Sequence, residues 1–76
     1  MSRHEVRMAL LDYAREWNSG LLDNRQSEVQ ALLKACRPAR SPMWRWGVFQ
    51  QLAFALVVGN ARHRDIYLDL LTGGGS

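Results

Sequence analysis

Three residues carry the side chains best suited to catalysis or metal binding: His4, Cys36 and His63. A cysteine beside a histidine can form a reactive thiolate, and the same side chains are zinc ligands. The sequence contains no third orienting group at a recognisable spacing, and these residues lack the short paired spacings of zinc ligands. Helical periodicity places Cys36 and His63 on apolar stripes, where such side chains usually pack. We therefore predict no catalytic, cofactor-binding or metal site, and no enzymatic activity.

Basic residues form a second pattern with chemical potential. From Val29 to Arg64 the chain has six basic residues and no acidic one, and basic and aromatic residues alternate from Arg37 to Trp46. Arginine pairs with phosphate while tryptophan stacks on bases, which favours nucleic-acid binding. The same alternation suits an element at a membrane surface. It also fits a polar linker followed by tryptophans that pack into a core.

Residues 51–70 partly resemble a helix-turn-helix motif. Ala55 and Gly59 have the spacing of the motif's small first-helix residue and its turn glycine, so the following helix would present its first residues to bases. The pattern departs at Asn60, where the motif has an apolar residue, and at Asp65, where it has a buried one. A nucleic-acid-binding regulator is therefore the alternative function. Its candidate contact residues are Arg37, Arg40, Trp44, Arg45, Arg62, His63 and Arg64.

Helices must position all of these residues, because no strand alternation or hairpin signal occurs. The clearest helix begins at Ser41-Pro42, a cap followed by a residue that needs no N–H donor, and ends at Gly59-Asn60. The sequence predicts an all-α fold, a compact bundle of four short helices around the third. The predicted helices span residues 3–18, 24–36, 42–58 and 61–71.

The third helix is apolar on every side. Between Met43 and Val58 its polar residues are Arg45, Gln50 and Gln51, which point in different directions, so other protein should surround the helix. Three short neighbours leave part of it uncovered, and we predict an interface there, with a smaller contact patch on the first helix. The candidate interface residues are Trp46, Phe49, Ala53, Phe54, Val57, Met8 and Leu11.

The apolar stripes also predict the core. The stripe of the fourth helix, which would face inward, contains His63, Ile66, Tyr67, Leu70 and Leu71. Leu52 lies at the centre of the third helix and should be fully buried. The predicted core residues are Leu10, Tyr13, Leu33, Val48, Leu52, Leu56, Ile66 and Leu70.

Size and composition narrow the class of protein. The chain has 76 residues, 47% of them hydrophobic, and a net charge of +3. We expect one small helical domain over residues 1–72, followed by a flexible Gly/Ser tail at 73–76 that is native or an added linker. Cys36 is the single cysteine, and no signal peptide or membrane span is visible, which favours the cytoplasm. Arginine outnumbers lysine nine to one, which favours a bacterial or phage source.

These observations favour a small non-enzymatic protein-interaction module, acting as an adaptor, inhibitor or regulator. Such a module would bind a protein partner or form a homodimer through apolar helix surface, which also reinforces a domain of this size. No small-molecule substrate or cofactor is implied. Nucleic acid is the partner under the alternative reading.

Overall fold

The computed structural model describes residues 2–20, 25–35 and 41–73. Over these residues the chain forms four α-helices and no strand, which confirms the predicted all-α bundle. The first and third helices have 17 residues each, whereas the second has 10 and the fourth 12. Their bounds are α1 (Arg3–Ser19), α2 (Gln26–Ala35), α3 (Pro42–Val58) and α4 (Ala61–Thr72).

Local sequence signals account for the ends of α3 and the start of α4. The Ser41 hydroxyl accepts a hydrogen bond from the Trp44 N–H at 3.1 Å, so it supplies one of the acceptors that a helix start lacks. Gly59 ends α3 with φ of 73°, in the left-handed region that favours glycine. Asn60 then accepts from the His63 N–H at 3.0 Å and begins α4. The turn between the two helices therefore takes only two residues.

Helix α3 lies at the centre of the fold and packs against α1, α2 and α4. The radius of gyration is 11.3 Å, close to the ~11 Å expected of a compact domain of this length, so no helix projects from the body. A single buried cluster joins all four helices. It consists of Leu10, Ala14, Val29, Leu33, Phe49, Leu52, Ala53, Leu68 and Leu71.

The predicted inward face of α4 is only partly correct. Leu71 is buried and Tyr67 half-buried, as predicted. The prediction is wrong for Ile66, Leu70 and His63, which are exposed, while Leu68 enters the core instead. The predicted stripe and the stripe that is buried in the structure are both apolar enough to enter the core, so the sequence of α4 does not decide between them. The orientation is decided by how α4 packs against the other helices, among them α1.

Asp69 on α4 receives a hydrogen bond from the Arg7 guanidinium on α1, with 2.6 Å between Nη1 and Oδ1. Arg3 lies 3.5 Å from the same carboxylate. Asp69 is half-buried, and these contacts join α4 to the start of α1.

The rest of the predicted core differs only in degree. Leu10, Leu33 and Leu52 are fully buried as predicted, while three further residues are half-buried against the cluster. Those three residues are Tyr13, Val48 and Leu56.

Candidate protein-interaction surface

One side of α3 remains uncovered by the other described helices. At 100° per residue, its members fall within an arc of about 120°. Four of them are large apolar side chains with high exposed fractions: Met43 86%, Phe54 62%, Val57 65% and Val58 55%. Gln50 and Gln51 are exposed beside them, and Gly47 is half-buried. We call these seven residues the outer face of α3: Met43, Gly47, Gln50, Gln51, Phe54, Val57 and Val58.

The outer face has no ionisable group. Arg45, the single charged residue of α3, lies about 180° from Phe54 on the helical wheel and is half-buried. Glutamine amides can donate and accept hydrogen bonds but add no charge. Soluble monomers rarely expose a contiguous apolar surface larger than a few hundred Å², and larger surfaces mark interaction sites. The arrangement is therefore suited to burial against another apolar surface.

Two residues predicted for the interface are buried in the chain itself. Phe49 and Ala53 belong to the core, so their placement on an uncovered side was wrong. The end of α1 covers them. Asn18 donates a hydrogen bond from Nδ2 to the Ala53 carbonyl oxygen at 2.9 Å. Trp17 meets the Phe49 ring edge-on, with 6.4 Å between the ring centroids.

Trp46 is half-buried in the same aromatic cluster. Its ring stacks on Phe49 with 5.4 Å between centroids, and Trp17 meets it edge-on at 5.3 Å. Such pairs contribute roughly 0.5–1.5 kcal/mol beyond the area they bury. Trp46 therefore joins α1 to α3, and the uncovered side is shifted around α3 toward Phe54 and Val57, both of which are exposed.

The predicted patch on α1 is reduced to one residue. Leu11 is half-buried against the core, whereas Met8 is exposed. Met8 and Trp17 are nine residues apart and thus lie on opposite sides of α1. Since Trp17 faces α3, Met8 points away from it and is not continuous with the outer face of α3.

Met43, Gly47 and Val58 were not among the predicted interface residues, although they belong to the outer face of α3. A usable signal was present, because residues 43, 47, 50, 54 and 57 follow alternating steps of four and three. This spacing is the heptad pattern by which one helix presents a seam to another. The uniformly apolar character of α3 hid the seam, since the same spacing can be drawn through several of its sides.

The basic and aromatic residues proposed for nucleic-acid contact do not form one cluster among the described residues. Trp44 and Arg45 lie half-buried near the start of α3, while Arg62 and His63 are exposed at the start of α4. About 20 Å of helix separates the two ends. The Arg64 Nε lies 3.1 Å from the Asp65 carboxylate. Arg37 and Arg40 lie outside the described residues.

The most connected polar group lies elsewhere, between α1 and the start of α2. The Tyr13 hydroxyl donates to the Glu28 carboxylate at 3.0 Å, and the Arg25 Nε donates to the same oxygen at 3.2 Å. Arg25 also lies 4.8 Å above the Tyr13 ring and pairs with Glu16. Burial and the Glu28 hydrogen bond raise the pKa of Tyr13, and the hydrogen bonds from Tyr13 and Arg25 lower the pKa of Glu28. Tyr13 and Glu16 lie on α1 while Arg25 and Glu28 lie at the start of α2, so these contacts connect the two helices.

The residues considered for catalysis and metal binding lie on separate elements. His4 is exposed in the first turn of α1 and His63 is exposed in that of α4, while Cys36 lies outside the described residues. Within residues 2–20, 25–35 and 41–73, no three His, Cys, Asp or Glu side chains are grouped as a metal site requires. None of the helices in this part of the chain combines the length and apolarity needed to cross a bilayer.

No protein-family model matches this chain, and no curated protein or solved structure shows a significant similarity to it.

Proposed function

We propose that this protein is a small non-enzymatic interaction module that binds another protein surface through the outer face of α3. The observation that carries the proposal is the exposure of four large apolar side chains on one uncharged side of the central helix. Burying such side chains is favourable by about 25 cal/mol per Å² removed from water. A role as an adaptor, inhibitor or regulator follows from binding without chemistry, and the single Cys36 suits the cytoplasm.

The contacts that hold α3 in the fold support the same function. Its inner side is held by the core, by the aromatic cluster around Trp46 and by the Asn18 hydrogen bond to its backbone. A helix fixed along its length presents its exposed side chains with little loss of backbone freedom on binding. The outer face therefore has the properties of a preformed docking surface.

Site-specific crosslinking in the organism that encodes the chain tests this proposal. A photo-crosslinking phenylalanine analogue is placed at Met43 on the outer face, or at Met8 on α1 as the matched control, because both methionines are exposed. We expect protein adducts from position 43 and few from position 8, and mass spectrometry then identifies the partner. Equal yields at the two positions, or none at position 43, would refute the proposed surface.

A second variant tests whether the adducts at position 43 depend on the outer face of α3. Phe54→Glu with Val57→Glu places two carboxylates on the outer face without touching the core, so circular dichroism should show unchanged helicity. The adduct from position 43 should disappear, because burying two charges at an apolar contact is strongly unfavourable. An adduct that persists in this folded variant would show that binding does not use the outer face.

A further inference from the structure

Six of the seven residues of the outer face of α3 have an internal two-fold pattern. Val57 is the exception, because its counterpart is the half-buried Trp44. Residues four apart form two parallel ridges, one with Met43, Gly47 and Gln51 and the other with Gln50, Phe54 and Val58. A two-fold rotation of the helix, about an axis that passes between Gln50 and Gln51, superimposes each ridge on the other. This places Met43 against Val58, Gly47 against Phe54 and Gln50 against Gln51. A surface that matches its own reverse is what a symmetric dimer requires.

Gly47 gives this pattern its shape. Glycine is unfavourable in the middle of a helix, so its presence there calls for a packing reason. A Cβ atom at Gly47 would meet no atom within 4 Å among residues 2–20, 25–35 and 41–73, so no described neighbour needs the glycine. The missing side chain leaves a notch on the outer face between Met43 and Gln51. Phe54, 62% exposed, is the large side chain that the two-fold pattern brings to this notch.

We infer that the partner is a second copy of this chain, bound by antiparallel packing of α3 against α3, with Phe54 of each copy over Gly47 of the other. This inference rests on the proposed function and names the molecule that occupies the outer face of α3. The antiparallel direction places the positive N-terminal end of each α3 beside the negative C-terminal end of the other, which is the favourable arrangement of helix dipoles. At the centre, glutamine amides both donate and accept hydrogen bonds and can pair with each other.

The exposed area agrees with a reversible dimer. Each of the four apolar side chains offers on the order of 100 Å², so two copies would bury roughly 800 Å² of apolar surface. With the glutamines and Gly47 the total approaches about 1,000–1,200 Å², the lower end of specific interfaces. The absence of lysine and arginine from the outer face disfavours phosphate-bearing occupants, both nucleic acid and anionic lipid.

Substitutions at Gly47 test the inference on the purified full-length chain. Gly47→Leu fills the notch, and because a Cβ meets open space there, the monomer should stay folded. The matched control is Ser27→Leu, which adds the same side chain on the solvent side of α2, opposite Val29. Sedimentation measures the dimer fraction from about 5 to 500 μM, the range suited to a small interface. Circular dichroism checks the helicity of each variant.

We expect the wild-type chain and Ser27→Leu to dimerise alike as concentration rises. Gly47→Leu should weaken association by about tenfold or more, as overpacking a contact does, and Phe54→Ala should weaken it through lost burial. The double variant Gly47→Leu with Phe54→Ala exchanges the large and small positions. It should therefore associate more strongly than Gly47→Leu.

Two results would overturn the inference. A wild-type chain that remains monomeric over the whole range excludes a second copy as the occupant, while adducts from Met43 to another protein would leave the proposed function standing. Association of Gly47→Leu at the wild-type level would show that Phe54 does not pack over Gly47. The absence of every adduct at Met43, whether to another protein or to a second copy, would count against the proposed function as well as the inference.

Discussion

Alanine substitution at Leu52 and at Phe54 should separate the inner and outer sides of α3. The two residues lie half a turn apart on one helix, and Leu52 is fully buried while Phe54 is 62% exposed. Truncating a buried leucine removes its burial and leaves a cavity, which typically costs about 2–5 kcal/mol. For a chain of 76 residues, the whole free energy of unfolding is on the order of 4–11 kcal/mol. Leu52→Ala should therefore remove a large part of the stability.

Phe54→Ala has a small expected effect in the monomer. The side chain has lost only about a third of its exposure, so truncation sacrifices about 1 kcal/mol of burial. Alanine is a better helix former than phenylalanine by about 0.5 kcal/mol, which offsets part of the loss. The net cost should be about 0.5 kcal/mol. With about 4–8 °C per kcal/mol for a domain of this size, Leu52→Ala should lower Tm by at least about 8 °C and Phe54→Ala by about 2–4 °C.

Urea unfolding followed by circular dichroism, at a concentration too low for association, is the suitable assay. Both variants are compared with the wild-type chain under the same conditions, since binding of a second copy would raise the apparent stability. If Phe54→Ala destabilises the dilute chain as much as Leu52→Ala does, then Phe54 is a core residue. In that case the outer face of α3, and both proposals based on it, would be wrong.

Two further predictions concern the contacts between helices. Arg7→Ala should lower the free energy of unfolding by about 1 kcal/mol, because the Arg7–Asp69 pair is only partly buried. Added salt should reduce the difference from wild type, since it screens the ion pair. A cost that does not change with salt would instead assign the loss to packing of the arginine stem. Burial and the Glu28 hydrogen bond raise the pKa of Tyr13 above its ordinary 10.0, so its stabilising contribution is complete below pH 10 and is lost as the pH rises through the raised value. The pKa of Glu28 is lowered from 4.5, chiefly by the Tyr13 hydrogen bond, so its contribution holds above that pH and is lost as the pH falls through the lowered value. In a Tyr67→Phe background, an absorbance titration of the phenol should show that Glu28→Gln lowers the pKa of Tyr13, and an unchanged value would exclude the contact.

The candidate surface was only partly predictable. The apolar surface of α3 is larger than three short helices can cover, and this comparison can be made from the sequence alone. Which side stays open depends on where α1 crosses, and that depends on Trp17 stacking against Trp46 and on Asn18 reaching the Ala53 carbonyl. These contacts join residues about thirty positions apart, and no local pattern in the sequence encodes them.

The sequence by itself determined the ends of α1, α3 and α4, because these ends are set by interactions within four or five residues. Ser41 caps α3, Gly59 ends it and Asn60 starts α4, each through a short-range hydrogen bond or backbone preference. Only the tertiary structure decided how each helix is turned about its own axis. A helix that is apolar all round, or one with two equivalent stripes such as that of α4, has nearly the same burial energy in several orientations. The choice then depends on long-range contacts such as those of Trp17 with Trp46 and of Asn18 with Ala53, which exist only once the helices have packed together.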